Sequence, residues 1–131
     1  MTALLMTTAI VEVITGIALL AVPALLASIL LGAALDTSAG LAVARLAGAA
    51  LLALGLACWF GSRDTQSRAA IGIVAAMLVY NLAAVVLLLS LRYYVGMTGI
   101  GLLPASALHA ALALWCIACL RAAWTQESSQ E

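Results

Sequence analysis

Each of four apolar segments of this chain contains one residue that can bind a ligand or move a proton. These residues are Glu12, Arg45, Asn81 and His109. A charged or hydrogen-bonding side chain is costly in hydrocarbon, and in membrane helices such residues usually face the bundle interior and mark a pathway or a binding site. We therefore predict that the four form one polar cluster, which is the candidate ligand-binding site.

The composition predicts which solvent surrounds these segments. Of the 131 residues, 67% are hydrophobic and 8% are charged, and the mean hydropathy is +1.26. A soluble domain of this size needs more polar residues to cover its surface, so the chain is expected to lie in a lipid bilayer. The net charge is zero and there is no run of basic residues, which excludes nucleic acid as an expected partner.

The apolar residues fall into four runs, at 3–22, 41–60, 69–91 and 101–120. A membrane-spanning helix needs about 20 apolar residues. The sequence therefore predicts a single all-α domain, an integral membrane bundle of four transmembrane helices. Residues 23–35 are also apolar but too few for a span, and they open with proline, which is favoured at the first position of a helix. They predict either a kinked extension of the first helix or a short interfacial helix.

Short connections separate the predicted spans: turn and cap residues at 36–40, the only polar internal loop at 61–68, and a third connection at 92–99. Connections of this length make consecutive helices antiparallel neighbours. The last segment, 125–131, is polar and has nothing to bury, so we expect an unstructured tail.

The arginines predict the orientation in the membrane. Arg63 and Arg68 lie between the second and third spans and Arg121 follows the fourth, whereas Arg92 is the one arginine in a connection on the opposite side. Positively charged residues are enriched in cytoplasmic segments, so both termini are expected in the cytoplasm. The first apolar run lacks a positive N-terminal region and contains Glu12, so we expect it to be a span and not a cleaved signal.

In this orientation the four polar residues fall in one band. With a helical rise of about 1.5 Å per residue, Glu12 lies roughly 14 Å, Asn81 and His109 roughly 18 Å and Arg45 roughly 24 Å from the inner boundary. A direct bridge from Glu12 to Arg45 would be strained, and a link through His109 or water is easier. Alternatively, both charged side chains reach the interface, Asn81 forms a hydrogen bond between helices, and His109 is a packing residue.

Small residues accompany the two charges on their helices. Glu12 shares a helix face with Thr8 and Gly16, and Arg45 follows a three-four spacing with Gly48. Small residues let membrane helices approach closely. Ala49, Ala53 and Ala57 form a second stripe of small residues on the second span, and close helix packing is expected there.

The cysteines raise the alternative of redox or metal chemistry. Cys116 and Cys119 form a C-x-x-C pair, and Cys58 lies at nearly the same predicted depth. The predicted position is near the cytoplasm, where thiols stay reduced, and at a helix C-terminus, which disfavours a thiolate. His109 and Cys116 lie about 10 Å apart along a helix, too far for one metal ion. We expect packing thiols, no metal, no cofactor, no catalytic residue and no enzymatic activity.

One segment resembles a known family of membrane proteins. Pro23 follows the first span, Arg45 precedes Gly48 early in the second span, and Gly55 follows two turns later. In this the chain resembles the bacterial DoxX-like family of small four-helix membrane proteins. The resemblance implies a multi-pass protein of the bacterial inner membrane with an accessory or small-ligand-binding role, because family members are linked to redox partner complexes or to the assembly of other proteins.

A second resemblance predicts a different function. Residues 11–16, VEVITG, are similar to the glutamate-containing first helix of small multidrug resistance transporters. That resemblance implies exchange of protons for cationic drugs through Glu12. Against it, no aromatic residue is expected beside Asn81 and His109, and Arg45 would repel a cation. The sequence leaves open the ligand, a membrane protein partner and a homo-oligomer.

Overall fold

The computed structural model describes residues 1–127, with side chains as far as Thr125, and this part of the chain is helical without strands. It consists of α1 (Thr2–Ala21), α2 (Pro23–Leu31), α3 (Ser38–Gly61), α4 (Arg68–Ser90), a π-helical turn (Leu91–Val95) and α5 (Leu102–Glu127). The all-α prediction is confirmed.

Four of these helices are long and apolar enough to cross a membrane. They are α1 with 20 residues, α3 with 24, α4 together with the π-helical turn with 28, and α5 with 24 as far as Thr125. The predicted number of spans is therefore confirmed. The helices alternate in direction, so both described ends of the chain lie at one end of the bundle together with the connection between α3 and α4.

Side-chain caps explain why α3 and α4 begin where they do. The Thr37 side chain accepts a hydrogen bond of 3.1 Å from the backbone N–H of Gly40, and Ser67 accepts one of 3.2 Å from Ala70. Each cap satisfies a backbone donor that the first turn of a helix leaves without a partner.

The prediction of an unstructured tail from residue 125 is wrong for its first three residues. Helix α5 continues to Glu127, and the Thr125 hydroxyl donates a hydrogen bond of 2.9 Å to the carbonyl of Arg121. Residues 128–131 lie outside the described residues.

Helix α2 is a separate helix and not a kinked extension of α1. The backbone of Val22 leaves the helical region, with φ −134° and ψ 54°, and Pro23 then starts the new helix. Gly32 adopts φ +71°, a left-handed conformation that ends the helix. The helix is therefore shorter than the predicted 23–35, because only glycine adopts this conformation readily.

The α2 helix is joined to the start of α5. The backbone N–H of Gly101 donates a hydrogen bond of 2.9 Å to the carbonyl of Ile29. The connection before α5 begins as the π-helical turn, and Arg92 donates a hydrogen bond of 3.1 Å to the carbonyl of Met97. Much of the connection predicted at 92–99 is thus a continuation of α4.

The bundle consists of two closely packed helix pairs, α1 with α3 and α4 with α5. Glycines bring the first pair together. A Cβ atom added at Gly16 would lie 2.8 Å from the carbonyl oxygen of Gly48, and one at Gly48 would lie 2.8 Å from that of Gly16. The close packing is therefore at the glycines of α1 and α3, whereas Ala49 and Ala53 of the second small stripe are exposed.

The hydrophobic core fills the half of the bundle that contains the two described chain ends. Its fully buried members come from all four long helices: Leu4, Leu5, Ala9, Cys58, Val74, Met77, Leu112, Cys116, Cys119 and Leu120. Large apolar residues also cover the outside, as Ile10, Ile14 and Ile17 of α1 show with exposed fractions of 52%, 63% and 53%. An apolar outer surface of this kind suits contact with lipid.

Candidate polar site inside the bundle

The hydrogen bond between α4 and α5 is the best-defined part of the site. Asn81 is completely buried, and its Nδ2 atom donates to the carbonyl of Met77 at 2.7 Å. Its Oδ1 atom lies 2.8 Å from Nδ1 of His109. Because Oδ1 can only accept, the proton of this bond belongs to His109 Nδ1. The other ring nitrogen, Nε2, has no hydrogen-bond partner among the described side chains.

Tyr80 connects this pair to α1. Its ring packs edge-on against the imidazole of His109, with centroids 5.6 Å apart and planes at 79°. Its hydroxyl lies near the carboxyl group of Glu12. Tyr80 was not among the residues predicted for the site, where no aromatic residue was expected.

Glu12 is the buried acid of the site. It is 1% exposed, and its Oε1 atom has no hydrogen-bond partner. Thr8, one turn earlier on the same helix, is also 1% exposed, and its Oγ1 atom likewise has no partner. Glu12 lies near the middle of α1, about 15 Å from either end.

Arg45 is the one predicted site residue that the structure does not bring to the others. It is exposed on α3 and forms no ion pair within the described part of the chain. Gly48 faces α1, and at about 100° per residue Arg45 points about 60° away from it. The structure therefore contains no bridge between Glu12 and Arg45. An exposed arginine near a helix start is the arrangement expected when the side chain reaches the membrane interface.

Comparison with known proteins does not identify the chain. No protein family, curated protein or solved structure gives a significant match. The site is therefore defined by its own geometry.

The site has hydrogen-bonding positions without partners, and none of the described arginines bonds to its side chains. Asn81, His109, Tyr80 and Glu12 form one connected series across three helices. The positions without partners are His109 Nε2, Glu12 Oε1 and Thr8 Oγ1. A bound molecule or ion that contacts these atoms would satisfy them.

The cysteines lie in the apolar core and not in this polar series. Cys58, Cys116 and Cys119 are free thiols and buried, and all three belong to the core cluster. Among the described residues, no group of three or more histidine, cysteine and acidic side chains is placed to hold a metal ion. The three cysteines therefore have the surroundings of small apolar packing residues.

Proposed function

We propose that this chain is a multi-pass protein of the bacterial inner membrane that binds a small polar molecule inside its bundle. In this proposal it has an accessory or ligand-binding role, as the resemblance to DoxX-like proteins implies, and is not an enzyme. The observation that carries the proposal is the connected polar series from Asn81 through His109 and Tyr80 to Glu12, with three unpartnered polar atoms beside it.

The physical reason is the cost of an unpartnered polar group in the membrane. Hydrocarbon contains no water to satisfy such a group, and each one costs several kcal/mol. Asn81 satisfies part of its capacity within α4, by its bond to Met77, and holds the imidazole of His109 in one orientation. A ring fixed by its Nδ1 atom presents Nε2 to a ligand in a defined direction.

The proposed orientation has both termini in the cytoplasm. The end of the bundle with both described chain ends also carries Arg63, Arg68 and Arg121, which are exposed. The opposite end has Arg45 and Arg92. The excess of positive charge at the first end supports its assignment to the cytoplasm.

The proposal predicts that the protein purifies with a bound small molecule. The protein is extracted in a mild detergent, and native mass spectrometry then compares it with His109→Phe and Asn81→Leu. We expect a mass increment in the unsubstituted protein that is lost or much reduced in both variants. The matched control is Ser106→Ala, because the Ser106 hydroxyl is buried on α5 but bonds to the carbonyl of Leu102 in its own helix. An increment that survives both substitutions, or no increment at all, would contradict the proposal.

A proton-coupled transporter that uses Glu12 is the second candidate, and the positions of Arg45 and Tyr80 favour it. Arg45 is exposed and does not pair with Glu12, so it does not place a positive charge at the acid. Tyr80 supplies an aromatic ring beside the carboxyl group. Repulsion of a cation by Arg45 and the lack of an aromatic residue were the two arguments against a resemblance to small multidrug resistance transporters. Neither argument applies to the structure.

Transport by reconstituted protein distinguishes this candidate from a binding protein. Proteoliposomes with an imposed pH gradient are loaded with ethidium, and its movement is followed by fluorescence. A transporter predicts gradient-dependent movement that Glu12→Gln abolishes and that Thr7→Val, an exposed neighbour on α1, leaves intact. Movement equal to that of protein-free liposomes would exclude the transporter.

A further inference from the structure

Two buried oxygen atoms on one face of α1 have no partner. Thr8 and Glu12 are four residues apart, so their side chains lie one above the other on the helix. Both side chains are 1% exposed, and neither Thr8 Oγ1 nor Glu12 Oε1 forms a hydrogen bond, either to the other or to any further described residue. Two buried oxygens without partners on one face of a helix are the arrangement expected of a site for a bridging atom.

Thr8 differs from the other buried hydroxyl group inside a helix, that of Ser106. A helical serine or threonine commonly donates its proton to the carbonyl three or four residues earlier. Ser106 does so at 2.8 Å although its side chain is only 5% exposed. Thr7 and Thr15 of α1 form no such bond either, but their side chains are not buried. The Thr8 oxygen is therefore a buried hydroxyl without a protein partner.

A third oxygen-bearing group lies near Glu12 on another helix. Helices α1 and α4 do not form one of the two closely packed pairs. The Tyr80 hydroxyl of α4 nevertheless lies near the Glu12 carboxyl group. Glu12 therefore has an alcohol one turn away on its own helix and a phenol near it on α4.

We propose that Thr8 and Glu12 bind a small monovalent cation between α1 and α4, with the Tyr80 hydroxyl beside it. The inference rests on the proposed function, because it names the chemical class of one ligand of that site. Oxygen atoms are the preferred ligands of hard cations. One carboxylate without a cationic side chain nearby balances a single positive charge.

Charge and coordination exclude two other occupants of the bridging position. A divalent ion such as Ca²⁺ takes six to eight oxygen ligands, often from several carboxylates, and would leave an uncompensated charge in hydrocarbon. A proton bound to Glu12 neutralises the carboxyl group, but it does not provide Thr8 with a partner, since the two side chains do not bond to one another. A monovalent cation satisfies both the charge and the two oxygens.

Thermal unfolding in different salts tests the proposal. The full chain in lipid nanodiscs is unfolded in NaCl, KCl, NH₄Cl or choline chloride at one ionic strength. A ligand that binds only the folded state stabilises it by RT ln(1 + [L]/Kd), so Tm rises steadily with the logarithm of the ligand concentration once that exceeds Kd. We expect at least one of the three small cations to raise Tm above its value in choline, by an amount that increases with its concentration. Stabilisation by Na⁺ or K⁺ identifies a metal cation, and stabilisation by NH₄⁺ alone identifies a nitrogen cation.

Matched variants assign the effect to the site. Thr8→Val preserves the side-chain shape but removes one ligand, and it should weaken the apparent affinity by about tenfold, which corresponds to the loss of roughly one good polar contact. Thr7→Val makes the same change at the adjacent exposed position and should behave as the unsubstituted protein does. Glu12→Gln should remove the dependence of Tm on the cation. If this variant fails to fold, broadening of the ²³Na NMR line by Thr8→Val and by Thr7→Val gives the same comparison.

Two results would overturn the inference. Equal Tm values in all four salts would mean that water or a protonated carboxyl group fills the position. Equal cation dependence in Thr8→Val and Thr7→Val would place the ion elsewhere, for instance at the exposed Asp36 or Asp64. Neither result affects the mass increment expected at His109, so failure of this inference and failure of the proposed function are distinguishable.

Discussion

Helix α3 should tolerate no side chain at Gly48, whereas α4 should tolerate one at Gly72. A Cβ atom at Gly48 would lie 2.8 Å from the carbonyl oxygen of Gly16, 2.9 Å from Cβ of Leu19 and 3.1 Å from the backbone nitrogen of Leu20. Two of these neighbours are backbone atoms of α1, which cannot move aside as a flexible side chain can. The substitution Gly48→Ala must therefore separate α1 from α3.

The expected loss of stability in Gly48→Ala follows from the cost of overpacking. Inserting a methyl group into a tightly packed contact costs about 1 to 3 kcal/mol. At Gly72 an added Cβ meets nothing within 4 Å, and replacing a helical glycine by alanine stabilises by about 0.5 to 1 kcal/mol. The gain in helix propensity is common to both variants, so they should differ by about 1 to 3 kcal/mol, the cost of the overpacked contact at Gly48.

Equilibrium unfolding of both variants in the same lipid nanodiscs measures this difference. We expect Gly48→Ala to have a smaller free energy of unfolding than the unsubstituted protein, and Gly72→Ala to have an equal or larger one. Because Gly16 lies one turn beyond Glu12 on α1, the displacement should also weaken any ligand binding at Glu12. Equal stabilities of the two variants would refute the proposed packing of α1 against α3.

Three further predictions concern the site, the thiols and the topology. Nitrogen-15 NMR of the single histidine should show a proton on Nδ1 of His109 that Asn81→Leu perturbs, and an Nδ1 atom without a proton would contradict the hydrogen bond to Asn81. Alanine at all three cysteines should cost about 1 kcal/mol per site and leave the bound molecule in place, whereas its loss would show that the thiols belong to a site. A reporter inserted at 62–67 should be cytoplasmic and one at Asp36 periplasmic, and the reverse would overturn the orientation.

Most of the fold could be predicted from the sequence because hydrophobic length decides it. The four apolar runs gave the four helices to within a few residues at most of their ends. The end of α2 was missed although Gly32 was a usable signal, since glycine commonly ends a helix in the left-handed conformation. The continuation of α4 as a π-helical turn is likewise a result of local backbone hydrogen bonding, which composition does not encode.

The candidate site was harder to predict because depth along a helix does not give rotation about its axis. Glu12, Asn81 and His109 have their polar groups inside the bundle, as expected from the cost of polar groups in lipid. Arg45 has a similar predicted depth but lies on an exposed face, since the glycine contacts fix how α3 is rotated. Tyr80 was missed because an aromatic residue in an apolar run is usually a packing residue, and only the structure shows its hydroxyl beside Glu12.

The central claim is that the polar series between Glu12 and His109 holds a ligand within the bundle. The most direct test is an experimental density map of the purified protein in lipid, at a resolution that shows side chains. We predict density that belongs to neither protein nor lipid chain, in contact with Nε2 of His109 or with Oε1 of Glu12. A map in which these atoms bond only to protein, for instance with Arg45 turned inward onto Glu12, would contradict the account.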